Sequence, residues 1–496
     1  MSYEKYFDKF IENDNESVIQ YIPNADAKRF LYENAPRLFC PDETIEETFA
    51  FRTFTMRKHI HKAEDGYMIT EFLTRERLPW ASENKTINAP LTHHLNEFRW
   101  LKCSDMFLDY VSYHIKGAGS KYQSGRAFAY HAPALRAIYD FCITTKNEDY
   151  LKENALHLEE YFKTWQALHG TGTGLYWSVD DREGTEYTIS GTTSTLKALR
   201  GIRPLFNACM YADGVALSKI FALVGDEKKA ELYGECAENI KALINERLWD
   251  GDFYKAVHPL SEEDLEGPIT TADIPKGHDA REIMGYLPYA YSIPPKDRCA
   301  PLKYLKDESV FSAPMGFATA DMSNPRFLYY TDRDCVWNGH VWPFATSYTV
   351  NAVIEALESY PDSDLSCSDL LGFIKKYAEM HYSYEDGRKI NFIDEVMEHD
   401  RLSWFAREKG KRGYVIPGGQ ERGKDYNHST FIDLVLRGLC GIGTEGDALT
   451  VKPRVKGLWK WFKIENLTVR KNTYTVYYDE DGTHFGKGVG VSLEKA

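Results

Sequence analysis

From about Glu97 to Ile442 the chain reads as one helix after another, joined by turns so short that successive helices must run antiparallel. The clearest stripe is Leu232/Tyr233, Cys236/Ala237, Ile240 and Leu243/Ile244, apolar residues that return every three or four positions as a half-buried helix requires. Val224-Gly225-Asp226-Glu227 closes the preceding helix with a glycine and opens this one with a capping aspartate. A similar joint lies at Thr145-Lys-Asn-Glu-Asp149. The same pattern places helices over 97–116, 126–144, 151–167, 203–224, 280–291, 341–360, 369–384 and 427–439. With weaker segments included there are about a dozen. A four-helix bundle does not need so many. A closed ring of helical hairpins does.

The two ends read differently. Phe51, Thr53 and Thr55 alternate, as does Tyr67-Met-Ile-Thr-Glu-Phe-Leu73, which predicts short strands between Phe49 and Leu73. Beyond Asp447 the segments 449–451, 459–464 and 473–478 are again strand-like, the last running into the turn Asp481-Gly482. The expected organisation is an N-terminal segment with short strands (1–90), a helical body (91–446) and a β tail (447–496) packed on it.

Composition excludes several classes. Sixty Lys+Arg against 74 Asp+Glu leave a net charge of -14, which repels a phosphate backbone and argues against nucleic-acid binding. No apolar run approaches the roughly 18 residues of a membrane span, and the first ten residues lack the apolar stretch of a secretory signal. Nine scattered cysteines with no CxxC pair fit reduced thiols and a cytoplasmic location. His59-x-His61 and His93-His94 have no carboxylate at helical spacing to complete a ligand set, so no metal is expected. The unusual figures are 10 Trp, 33 Tyr and 26 Phe. Such rings grip the C–H faces of sugars, although they also fill large cores.

Three connectors carry more polar and aromatic residues than a simple link needs. The first, Gly174 to Gly191, contains Trp177, Asp181, Glu183, Glu186 and Tyr187. The second, Arg333 to Pro343, contains Trp337, Asn338 and Trp342. The third, Ile390 to Thr430, contains Asp394, Glu395, Gln420, Glu421, Tyr426 and Asn427. Carboxylates in two of them and rings in all three suit cleavage of a glycosidic bond. That reaction takes one carboxylic acid to protonate the leaving oxygen and one carboxylate across the sugar as base or nucleophile. No GxSxG elbow, phosphate-binding loop or dinucleotide fingerprint competes.

Gly184-Thr185-Glu186-Tyr187-Thr188 resembles the Gly-x-Asp-aromatic-Ser segment that holds the catalytic acid in trehalases and related six-hairpin glycosidases, processing glucosidase I and the mannosylglycerate hydrolases among them. Trp337-Asn-Gly-His-Val-Trp342-Pro343 is similar to their Gly-x-x-Trp-Pro segment, which lines the sugar pocket. Asp425 to Ile442 resembles their last barrel helix. The likeness runs over residues 90 to 496, and the bacterial mannosylglycerate-hydrolase-like glycosidases are the group it resembles most.

The resemblance implies an all-α fold, an (α/α)6 barrel with short N-terminal strands and a small C-terminal β tail. It also implies hydrolysis with inversion and no cofactor. It assigns the acid to Glu186, where the relatives mostly carry Asp, with Asp181 and Glu183 as alternatives. The base falls to Glu395, with Glu421 as its rival. Trp177 and Tyr187 would bury Glu186 so that it keeps its proton near neutral pH. Trp337 and Trp342 would stack on a sugar ring, and Arg99, Trp100, Asn338, Gln420, Tyr426 and Asn427 would complete the pocket. The expected activity is inverting hydrolysis of a small oligosaccharide or glycoside. The rivals are a sugar epimerase using two of His93, His131, His340 and His428, and a non-catalytic carbohydrate-binding protein. A small carbohydrate is the partner in each case, and the sequence leaves the oligomeric state open.

Overall fold

The computed structural model describes residues 3–16, 18, 20–116, 128–193, 196–258, 281–419 and 421–496. The hairpin read most clearly from sequence is Pro204–Val224 followed by Glu227–Arg247. Pro204 takes the first helical position, where its missing N–H has no partner to lose. Gly225 ends the helix in the left-handed conformation at φ 85°, and Asp226 caps the next by accepting from Lys229 N at 3.1 Å. Pro343–Ser359 and Cys367–Glu379 form a second hairpin, the latter opened by a reciprocal capping box between Ser366 and Asp369.

Helix contacts run round a closed circuit. Leu91–Phe98 packs on Leu135–Thr145, that helix on Pro204–Val224, and the circuit continues through Leu287–Ala290, Pro343–Ser359 and Cys367–Glu379. Cys367–Glu379 meets Glu43–His59, which touches Phe431–Asp433, and this last turn returns to Leu91–Phe98. Glu43–His59 therefore belongs to the helical body although it precedes residue 91.

That helix corrects the strands expected around Phe51, Thr53 and Thr55. Asp42 caps it by accepting from Thr44 N (3.1 Å) and Ile45 N (3.2 Å), and every residue from Thr48 to His59 is buried. A helix covered on all sides has no polar face, so its sequence loses the 3.6-residue period and short alternations imitate a strand. Strands do follow directly, as the hairpin Ile60–Ala63 with Gly66–Ile69. Other helices are shorter than their patterns. The 97–116 segment is broken into the end of Leu91–Phe98, the turn Ser104–Phe107 and Leu108–Ile115. The 369–384 segment stops at Glu379 and continues as the strand Tyr382–Glu385, and 427–439 shrinks to Phe431–Asp433 with a wide turn over Leu434–Leu439.

The β tail is a four-stranded antiparallel sheet in the order Arg37–Phe39, Trp461–Val469, Asn472–Asp479, Gly490–Lys495. Its inner face buries Phe462, Ile464, Leu467 and Val476. An N-terminal strand supplies one edge, with Arg37 opposite Glu465, so the two ends of the chain meet in one sheet. Among the described residues no helix is long and apolar enough to cross a membrane.

Candidate active site

The first loop is shaped by Asp180, a buried carboxylate. It accepts from Asp181 N (2.8 Å), Thr188 N (3.2 Å), Thr188 Oγ1 (3.1 Å) and Thr192 Oγ1 (2.7 Å). Gly184 turns the chain at φ 70°, and Trp337 N donates to the Glu186 carbonyl at 2.9 Å, which ties the second loop to the first. The third loop doubles back on itself. A side chain at position 423 would run into Asp394 Oδ1, so the glycine there is what lets the 394–395 and 422–425 stretches lie together.

These loops and the 71–89 segment enclose one hollow of about 780 Å³ including its mouth, within the ~300–1,000 Å³ usual for ligand sites. Its acids are Glu71, Glu186, Asp334 and Glu395, and its cation is Arg422. Trp80, Tyr130, Trp342, Phe344 and Tyr426 are among the rings in its wall. Arg422 bridges two acids: it donates to Glu395 Oε2 and stands 3.0 Å from Asp334 Oδ2. Its guanidinium lies 5.3 Å from the Phe72 ring and 5.6 Å from Trp80. Cys335 donates its thiol hydrogen to Glu186 Oε2 at 3.1 Å.

Burial dominates the titration of these acids. It pushes Glu186 up to about 8, with Glu395 adding to the rise and the Cys335 hydrogen bond opposing it. It pushes Glu395 up to about 7, where Arg422 pulls down while Asp394 and Asp334 push up. Glu71 is raised well above the usual carboxylate range by burial and by Glu395. At neutral pH Glu186 holds its proton more firmly than Glu395 does. Two carboxyls with separated affinities on one cavity are what acid–base catalysis uses. Among the described residues no group of three or more His, Cys, Asp and Glu could hold a metal ion.

The family model of the mannosylglycerate hydrolase MGH1-like glycoside hydrolase domain matches residues 83–429. The chain belongs to this family. A solved structure titled sialidase aligns with all of this chain (100%) at a TM-score of 0.85 and 28% identity. This chain spans 43% of that one, less than half its length. A GH78 family rhamnosidase from a Bacillus species gives a TM-score of 0.58 at 11% identity, over 90% of this chain and 40% of the rhamnosidase. The GH63 mannosylglycerate hydrolase from Thermus thermophilus, solved with glucose, gives 0.50 at 13% identity, over 78% of this chain and 99% of that one. At such identities the last two share the fold alone. None of the curated proteins matches the chain.

Within this MGH1-like domain the residues singled out from sequence fall into two groups. Glu186, Glu395, Trp342 and Tyr426 line the cavity. Those of the others that the structure describes lie elsewhere, each for a visible reason. Trp337 is fully buried behind Trp342, stacked at 4.4 Å, so no sugar reaches it. Asn338 and Asn427 are fully buried, their amides turned to the carbonyls of Tyr330 (2.8 Å) and Thr70 (3.5 Å). Arg99 and Trp100 both donate to Asp433, at 3.1 and 2.9 Å, on another side of the domain. Trp177 packs on His169 and under Arg200. Tyr187, at φ 63°, packs on Tyr330.

Of the alternative acids, Asp181 is exposed beside Arg182, Glu183 is buried in an ion pair with Arg203 (2.8 Å), and Glu421 pairs with Arg407 (3.0 Å). Gln420 lies outside the described residues. Of the four histidines weighed for epimerisation, His428 alone lines the cavity. His93 bonds the Phe344 carbonyl (3.1 Å), His131 bonds Ser178 (2.9 Å), and His340 packs on His399 and Phe405. Asp334, Cys335 and Arg422 were not singled out, although they sit in the very loops whose polarity marked them. Glu71, Trp80 and Tyr130 come from stretches without any motif.

Proposed function

We propose that the chain is an inverting glycoside hydrolase on an (α/α)6 barrel, with Glu186 as general acid and Glu395 as general base. One observation carries this: Glu186 and Glu395, raised to about 8 and about 7, open from different loops onto a single ring-walled cavity. Glu186 gives its proton to the glycosidic oxygen as the bond from that oxygen to the anomeric carbon breaks. Glu395 takes a proton from a water whose oxygen bonds the anomeric carbon from the opposite face. The net change is one water consumed and one proton returned from Glu395 to Glu186 through solvent. Arg422 favours the ionised form of Glu395 and fixes its orientation, and the half-buried ring of Trp80 offers apolar surface to the sugar.

The substrate is a small oligosaccharide or glycoside. Neutral sugars suit the described lining better than anionic ones, because its one guanidinium is already taken up by Glu395 and Asp334. Sialosides belong in the test because a structure 28% identical is titled sialidase. Nine free thiols support a reducing, cytoplasmic setting. Dispersal of His93, His131 and His340 away from the cavity weighs against a histidine-based epimerase. The test is a panel of α- and β-linked nitrophenyl glycosides, natural disaccharides and sialosides in phosphate-free buffer, with NMR of the first anomer released. Inverted product is expected; first-formed retained product, or interconversion of free monosaccharides, overturns the proposal.

A further inference from the structure

We infer that Glu71 and His428 form a clamp in the cavity wall that selects for one hydroxyl group of the bound sugar. The inference takes from the proposed function only that a sugar occupies the cavity. Both side chains line it, and they are 4% and 5% exposed. Glu71 Oε1 and His428 Nε2 face each other across 3.8 Å, beyond direct hydrogen-bond reach. Nε2 is buried and has no hydrogen-bond partner among the described residues.

The remaining polar atoms of the pair are committed, so the clamp cannot simply close. Glu71 Oε2 accepts from Trp80 Nε1 at 3.2 Å, and Glu71 N donates to the Lys85 carbonyl at 2.8 Å. His428 Nδ1 shares a 2.6 Å hydrogen bond with Tyr426 OH, and the imidazole lies nearly parallel to Phe72 at 6.3 Å. Two fixed polar atoms are thus held slightly too far apart to satisfy each other.

Burial favours the neutral form of both the carboxyl and the imidazole. A neutral pair calls for a guest that donates to one member and accepts from the other. A hydroxyl does both from a single oxygen, whereas a carboxylate only accepts and an ammonium only donates. Removing that hydroxyl from the sugar leaves two buried polar groups unpaired again, and sites of this kind discriminate strongly against the deoxy analogue.

Calorimetry tests this with glucose, mannose, galactose and N-acetylneuraminic acid, each with its mono-deoxy analogues. For the sugar that binds best, one analogue should bind at least ~100-fold more weakly and the others within about tenfold. In Glu71→Leu the parent sugar should weaken to the level of that one analogue, so that the two become equal. Glu71→Gln, which keeps a donor and an acceptor, should retain part of the difference. If Glu71→Leu does not fold, His428→Phe keeps the ring and must erase the same difference. A variant that still separates the two sugars by the wild-type factor overturns the clamp. Because the readout is binding, a wild type that discriminates but cleaves nothing overturns the hydrolase proposal and leaves the clamp standing. A wild type that binds none of these sugars overturns the clamp and leaves the hydrolase proposal to its own panel.

Discussion

Among the described residues, two of the polar hollows in the helical body differ in how their charges are matched. In the hollow of about 570 Å³ lined by Arg99, Arg136 and Arg437, each guanidinium meets a carboxylate. Arg99 and Arg437 both bond Asp433, Arg437 also reaches Glu355 at 3.4 Å, and Arg136 bonds Asp140 at 2.8 Å. Burial alone would lift Asp433, but Arg99 and Arg437 outweigh it and hold its carboxyl below the usual range. In the Glu186 cavity Arg422 pairs with only two of the four carboxyls, Glu395 and Asp334, and Glu186 itself has a thiol for a partner. A single layer separates the two, His93 of the first stacked at 4.2 Å on Phe344 of the second. Burial lifts the acids of both hollows, and the two guanidinium groups beside Asp433 reverse it there. Matched charges hold helices together, and unmatched ones leave a proton available near neutral pH.

The sharpest way to break this contrast is to neutralise one acid in each hollow. Glu186→Gln should lower kcat on the best panel substrate by 10³-fold or more, on the order expected for a general acid, with little change in Tm. Glu395→Gln should cost somewhat less, about 10²–10³-fold, since Arg422 keeps Asp334 as a partner. A variant of either that keeps a tenth of wild-type turnover removes that residue from the mechanism. Asp433→Asn should do the reverse. It leaves the buried Arg99 and the partly exposed Arg437 beside a neutral amide and should cost about 3 kcal/mol of stability or more in denaturant unfolding, with kcat of the folded protein near wild type. A large fall in kcat at unchanged Tm would erase the distinction between the hollows.

The pH profile sharpens the same point. Glu395 must be ionised, so kcat/KM should rise as pH climbs through about 7; Glu186 must be protonated, so it should fall as pH passes about 8. The two acids influence each other, so the limbs belong to the pair. Cys335→Ala removes a hydrogen bond that favours the ionised form of Glu186, so the alkaline limb should move up by less than about one unit. An alkaline limb that moves down, measured on the same substrate, would show that the thiol does not act on this carboxyl.

What the sequence disclosed follows from the range of the forces involved. Helices with one wet face, such as Glu227–Arg247, carry their period openly, and the glycine and aspartate at 225 and 226 mark their ends. Glu43–His59 has no wet face and was unreadable for that reason. Glu186 and Glu395 could be picked out because their loops are dense in acids and rings. Which neighbours face the cavity could not, because it depends on long-range contacts. Trp337 and Trp342 are five positions apart and chemically alike, yet one stacks behind the other. Arg99 looks like a sugar ligand until Asp433, more than three hundred positions away, claims it. Glu71 reaches the cavity only because the first long helix closes the circuit against the last ones.

The smallest predicted effects fall on the acids that share the first and third loops with Glu186 and Glu395 but not the cavity. Asp181 lies five residues before Glu186, exposed and 3.6 Å from Arg182; Glu421 adjoins Arg422 in sequence, yet bonds Arg407 at 3.0 Å on the outer side. Exposed pairs of this kind contribute about 0–1 kcal/mol. Asp181→Asn and Glu421→Gln should therefore stay within about twofold of wild type in kcat/KM and within about 1 kcal/mol in stability. Both keep the side chain's size, so a loss beyond tenfold in either would have to come from its charge. For Glu421 that outcome would move the base to a residue outside the cavity that Glu186 lines, and would require the third loop to rearrange around substrate. For Asp181 it would mean that an exposed side chain outside the cavity serves as the acid.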